Sequence, residues 1–234
     1  MSPMSQIVTE GIILGRTDYG EADRILTMLT PDQGKLRLMA KGVRRVKSKL
    51  AGGIELFSVS TITFVKGRGE IGTLVSTRLL QHYGTIVQDL NRTMLGYDLI
   101  KQTNKITEDE PGREYFDILN QAFEALDDAE IPRPLVRFWF SAQLLRLTGH
   151  NPNLQTDTAG QKLNPKEMYD FHFDQMCFAA APDRGRFSAS HIKFLRLSFA
   201  AHPAKTLAQV QGGIVLTEAL APLVSTMQQI HLHL

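Results

Sequence analysis

Cysteine is almost absent: Cys177 is the only one in 234 residues. A lone thiol forms no internal disulfide and cannot by itself build a cysteine-type structural zinc site. Long apolar runs are missing too. Asp, Glu, Lys, Arg or Gly interrupts every stretch before the roughly 18 residues that a membrane span needs. Residues 1–6 show neither the basic n-region nor the apolar h-region of a secretory signal. These absences lead to the expectation of a cytoplasmic protein without a membrane partner. Disorder is excluded by the 43% hydrophobic content. A chain of this size buries roughly 70% of its unfolded surface, enough for a core in one or two domains.

Charge of one sign looks scarce, since the net charge is only +2. The average hides two unlike parts. Residues 1–80 hold twelve Lys/Arg against seven Asp/Glu, whereas residues 81–234 hold fourteen against seventeen. A basic N-terminal third points to a polyanionic partner.

That third reads as β-structure. Residues 7–14 form a β-branched apolar run, 23–30 alternate loosely, and 35–40 alternate polar and apolar with the period of a half-buried strand. Residues 57–65 and 73–79 add two more strands, and turn signals rich in Gly, Pro and Asp separate all five. Five short strands fit a small barrel, either an OB-fold, whose face and loops bind oligonucleotides, or an SH3-like one. After about residue 80 the period becomes helical. Residues 113–128 carry an i, i+3, i+4 stripe, and a second segment runs from Pro132 and Pro134 to Gly149. A third is capped by Ser188 or Ser190 and ends before Pro203, and a fourth spans 217–230 around Pro222. Residues 150–187, rich in Pro, Asn, Asp and Gly, are expected to be an irregular insert with one strand-like stretch at 168–181. The reading is α+β: a barrel domain over 1–80, then an all-helical domain over 81–234 that carries the insert.

Chemistry-bearing motifs are few. Lys41, Arg44, Arg45, Lys47 and Lys49 place five positive charges within nine residues, and no acid occurs between Asp32 and Glu55. Lys and Arg supply the charge and forked donors that phosphates need, and Gly42, Gly52 and Gly53 let backbone approach. The bland alternative is a solvated basic loop. Arg16, Arg24, Lys35 and Arg37 are second choices that depend on strand face. Residues 67–72 match G-x-G-x-x-G, but the dinucleotide fingerprint requires a helix next, and the strand-like 73–77 follows. The glycines are read as a hairpin turn, with Arg68, and Lys66 beside it, adding to a basic surface.

No catalytic set emerges. Cys177 sits between Met176 and Phe178, an apolar setting that raises a thiol pKa and leaves it inert. His150, His172, His231 and His233 lack metal-ligand spacing. Glu108, Asp109, Glu110, Asp127 and Asp128 read as solvated helix ends. Phe138, Trp139 and Phe140 read as core, although a groove between helices would suit an apolar acidic tail with Arg133, Arg137 or Arg146 at its rim. The expectation is no enzyme and no cofactor.

The motifs also resemble a known family. Gly11-Ile12-Ile13-Leu14, then Tyr19-Gly20-Glu21-Ala22-Asp23-Arg24, then Ala40-Lys41-Gly42-Val43-Arg44-Arg45 with Lys47-Ser48 are similar to the bacterial RecO family of recombination mediators. The likeness is strong before residue 50 and loose after it, through Arg137-Phe138, Leu144-Leu145, Gly149, Pro152 and Leu154. It implies an OB-fold followed by a helical domain. It also implies binding to single- and double-stranded DNA, strand annealing, and help from RecR in loading RecA onto DNA coated by single-strand-binding protein, whose tail some members bind. Many members carry a four-cysteine zinc site. Its positions fall here on Thr156, Ala159, Cys177 and Ala180, so no zinc is expected. The rival readings are a protein-interaction adaptor that takes an acidic tail through the helical domain, and an RNA-binding OB-fold protein.

Overall fold

The period-two stretches become β1 (Gln6–Tyr19), β2 (Asp23–Leu29), β3 (Lys35–Ala40), β4 (Ser58–Val65) and β5 (Ile71–His82) in the computed structural model, which describes residues 5–67, 69–107 and 111–234. They close a barrel in the order β1-β2-β3-β5-β4, with β4 pairing back onto β1. β3 and β5 are parallel and the other neighbours antiparallel. This is the α+β, OB-fold-like architecture expected. β1 is long enough to serve two partners, and its register shifts between Ile13 and Gly15, the kind of irregularity that bends a strand around a barrel.

Alternation decides what faces inward. Ile13, Leu26, Met28, Leu38, Ala40, Ile62, Phe64 and Leu74 fill the barrel, joined by Val43 and Ile54 from the connection between β3 and β4. The glycines at 67–72 do serve a β4–β5 hairpin. A Cβ on Gly72 would lie 2.9 Å from both the Leu38 side chain and the Val65 carbonyl oxygen, so this glycine permits strand packing rather than phosphate contact. Arg68 lies outside the described residues, as do Glu108, Asp109 and Glu110.

Two helices share the barrel's compact unit, which runs to Asp128: α1 (Leu90–Ile106) and α2 (Arg113–Asp127). The last barrel strand ends at His82, beside the expected boundary at 80/81, but the compact units divide later. α1 begins where the Asp89 carboxylate accepts the Arg92 backbone N–H at 2.8 Å. It approaches the barrel so closely that a Cβ on Gly96 would stand 2.5 Å from the Phe57 ring. Cations close both helices: Lys35 Nζ donates to the Thr107 and Asn104 carbonyls at 2.7 and 3.1 Å, and Arg92 donates to the Leu126 and Asp128 carbonyls at 2.7 and 3.0 Å.

The second unit, from Ala129, is not all-helical. α3 (Arg133–Leu147) is its central helix, buried around most of its circumference. Phe138, Trp139 and Phe140 are core residues, and Trp139 Nε1 donates to the His202 carbonyl at 2.7 Å. The insert folds into a three-stranded sheet of β6 (Asn153–Asp157), β7 (Tyr169–His172) and β8 (Cys177–Ala180), in the order β6-β8-β7. The expected irregular segment is thus corrected. The single strand-like stretch is a hairpin folded through Met176 at φ 48, so its alternation restarts at the turn. Tyr169, Phe171 and Phe187 pack around Phe178 with centroids 5.1–6.3 Å away. α4 (Ala189–Phe199), α5 (Ala204–Ala208) and α6 (Gly213–Leu232) complete the unit. Among the described residues no helix is long and apolar enough to cross a membrane.

Candidate nucleic-acid interface

The basic run is pinned rather than floating. Asp23 accepts the Gly42 backbone N–H at 2.6 Å, and Arg44 N–H donates to the Ala22 carbonyl at 2.9 Å. Gly42 adopts φ +66, a conformation that disfavours a side chain. Val43 is then driven into the barrel core. Lys41, Arg44, Arg45, Lys47 and Lys49 are left exposed around this anchor. Further along, Thr77 Oγ1 donates to the Leu50 carbonyl at 3.1 Å and holds the loop against β5.

Strand register brings two of the second-choice residues to this loop. Asp18 on β1 faces Arg24 on β2, and Arg24 Nε donates to its carboxylate at 2.7 Å. Arg44 from the loop stands 3.6 Å from the same carboxylate. The hydrogen bond from Arg24, with the charges of Arg24, Arg44 and Arg16, holds the Asp18 carboxyl below its ordinary range. Arg16, Arg24 and Arg44, from two strands and the loop, therefore gather at one edge around Asp18, with Asp23 beside them engaged by the Gly42 N–H. Lys35 is placed elsewhere: it closes α1. Arg37 points outward from the middle of β3, 3.8 Å from Glu70. Asp18 was missed as an organiser because nothing in its local sequence marks it.

Similarity to known proteins agrees with this architecture. Residues 4–83 match the family model Recombination protein O N terminal, and residues 88–211 match Recombination protein O C terminal. The chain belongs to the RecO family. The DNA repair protein RecO of Syntrophus aciditrophicus is 32% identical over 200 residues, which cover 81% of this chain and 77% of that protein. The one from Halalkalibacterium halodurans is 34% identical over 146 residues, covering 62% of this chain and 57% of the relative. For that of Rhodopirellula baltica the identity is 33% over 150 residues, and the chain spans 55% of the relative's length.

Within the second unit of this RecO-family chain, α3 and α6 border a groove of about 520 Å³ lined by Pro134, Arg137, Phe138, Glu218, Pro222 and Gln228, among others. Of the three arginines expected at such a rim, Arg137 is there. Arg133 and Arg146 do not line it, and Arg146 Nε instead donates to Gln143 at 2.8 Å.

The four positions at which the resemblance puts zinc cysteines, Thr156, Ala159, Cys177 and Ala180, do not fit a metal. Thr and Ala supply no thiolate. The Thr156 hydroxyl accepts a hydrogen bond from Asn153 at 2.7 Å, and Asp157 turns the chain by accepting the N–H groups of Ala159 and Gln161 at 2.9 and 2.8 Å. Among the described residues no group of three or more His, Cys, Asp or Glu could hold a metal ion. Burial, with Asp157 adding, pushes the Cys177 thiol up, away from nucleophilic use. A histidine pair escaped the sequence reading: His150 and His231 stack with centroids 4.6 Å apart, and His231 Nε2 lies 3.2 Å from Met176 Sδ.

Proposed function

We propose that this chain is a non-enzymatic, DNA-binding recombination mediator in DNA repair. It binds single- and double-stranded DNA through the basic rim of the barrel, anneals complementary strands, and acts with RecR to load RecA onto DNA coated by single-strand-binding protein. The observation that carries this reading is the anchored loop 41–49, whose cations are exposed and whose Arg44 stands with Arg16 and Arg24 around Asp18. The forked guanidinium of Arg44, exposed on this edge, suits a phosphate. Annealing follows because neutralising two backbones at one surface lowers their mutual repulsion. Membership of the family and relatives named for DNA repair support the reading.

The α3–α6 groove supports a second contact, an apolar tail ending in a carboxylate, of the kind single-strand-binding protein would present. Arg137 offers the cation, and Glu218 on the same groove disfavours acidic residues at its own side.

The test is a fluorescence titration of labelled oligonucleotide at several salt concentrations. Replacing Lys41, Arg44 and Arg45 together by Ala should weaken binding by about one to two orders of magnitude and reduce the salt slope by roughly 0.7–0.9 per lost contact. Unchanged affinity refutes the assigned surface. Undiminished tail-peptide binding by Arg137→Ala refutes the groove.

A further inference from the structure

The sequence motif around the β1–β2 turn is only partly used by the basic rim. Gly20 takes φ +57 to make the turn, Asp23 anchors Gly42, and Arg24 binds Asp18. Tyr19 remains. It is 56% exposed, and among the described residues its ring packs against no other ring and its hydroxyl forms no hydrogen bond. More than half of this aromatic residue stands in water at a fixed strand end, open to a partner.

Its surroundings point to a role. Tyr19 pairs with Asp23, Thr17 with Ile25 and Ile25 with Met39, Gly15 with Thr27 and Thr27 with Arg37. Leu26, Leu38 and Ala40 face the core, so these rows lie on the outer face of β1, β2 and β3. The face runs from Arg37 towards Tyr19, with Lys41 following the end of β3. Arg44 closes the same corner: its guanidinium donates to the Gly20 carbonyl at 3.3 Å, one residue from the ring. At the loop's apex Val46 is fully exposed between Arg45 and Lys47, a second apolar contact among cations.

We propose that Tyr19 is a base-stacking platform that lets this face hold unpaired bases of single-stranded DNA while the neighbouring Arg44 and Lys41 hold phosphates. The inference rests on the proposed DNA-binding rim and adds to it a means of telling a single strand from a duplex. Every base offers a π-face when unpaired, and none is open to a protein ring inside a duplex. Cations alone make no such distinction.

The experiment compares the full chain with Tyr19→Ala and Tyr19→Phe on four probes: a deoxythymidine strand, a duplex of equal length, an abasic strand, and a uridine strand. Tyr19→Ala should weaken binding of the thymidine strand between about 5-fold and about 150-fold, the range for one stacked base. Duplex and abasic affinities should stay within about twofold, the salt slope should be unchanged because no phosphate contact is lost, and Tyr19→Phe should restore most of the loss. Equal loss on base-bearing and abasic strands overturns stacking, and so does no loss on the thymidine strand. Tighter binding of the uridine strand than of the thymidine strand overturns DNA as the ligand. Unchanged affinity in the Lys41, Arg44, Arg45 triple variant overturns the phosphate surface by itself. The contrast between base-bearing and abasic strands then still decides Tyr19.

Discussion

Two long connections in this chain, residues 41–57 and residues 150–187, solve the same problem in opposite ways. Each links regular elements without a long helix. The first carries five Lys/Arg and one acid, and the second four Lys/Arg and five acids. The first buries a few apolar plugs, Val43, Ile54 and Phe57, and is otherwise fastened by backbone hydrogen bonds to Asp23, Ala22 and Thr77. The second turns its aromatic rings inward around Phe178 and builds its own sheet. Connection length alone does not separate a contact surface from a packing module. The separation comes from whether the side chains are spent on the protein or left for a partner.

Breaking the packing module should have the largest effect. Phe178 is fully buried at the centre of the aromatic cluster, so Phe178→Ala should destabilise the second unit by about 3–5 kcal/mol. Denaturant unfolding followed by the fluorescence of Trp139, the sole tryptophan and a core residue of that unit, reads this directly. A loss below about 1 kcal/mol would show that the cluster does not hold the insert. The triple Lys41, Arg44, Arg45 variant should do the reverse, costing affinity for DNA while leaving that unfolding transition in place.

Asp23 sharpens the comparison with a smaller effect whose sign is diagnostic. Removing an acid beside the proposed DNA-binding rim should, by charge alone, tighten DNA binding. If Asp23 instead serves to fasten Gly42, then Asp23→Ala frees the loop and binding weakens by roughly three- to tenfold, about 0.7–1.4 kcal/mol and within the net range of a single hydrogen bond. Tighter binding in this variant would mean that the anchor is unimportant and the basic run acts as a solvated tail.

The strands were legible because buried and exposed positions alternate so regularly: Lys35-Leu36-Arg37-Leu38 can be read as a half-buried strand without any partner in view. α1 was not, because Leu90, Met94 and Tyr97 are exposed and blur the stripe made by Leu95, Leu99 and Ile100. The insert's sheet was hidden by its hairpin, which resets the alternation. The cations at 41–49 were visible as a local run. Their gathering with Arg16 and Arg24 was not, since it depends on the β1–β2 register and on Asp18, which no periodicity marks. Lys35 shows the converse: a cation in the basic third whose position in the fold commits it to helix carbonyls.

The smallest effect expected is one of pH, and it again separates the two units. Burial holds His191 below its ordinary range, and burial with the neighbouring His150 does the same for His231. Both lie in the second unit. Their unfolded forms take up a proton near pH 6.5. Over the interval below that value the unfolded chain binds more protons than the folded one, so stability rises with pH. This contribution is complete above about pH 6.5 and is lost as pH falls through and below it. Protonation of His191 at Nδ1 also removes the acceptor of the Ser188 backbone N–H at the start of α4. On the barrel rim the depressed group is Asp18, whose window opens only below its ordinary value of 3.8. Lowering pH from 7.5 to 5 should therefore shift the Trp139 unfolding midpoint downward, and His231→Gln should flatten that shift. A midpoint constant over this range would show that His191 and His231 bind protons alike in the folded and unfolded chain, and an equal shift in the variant would show the same for His231 alone.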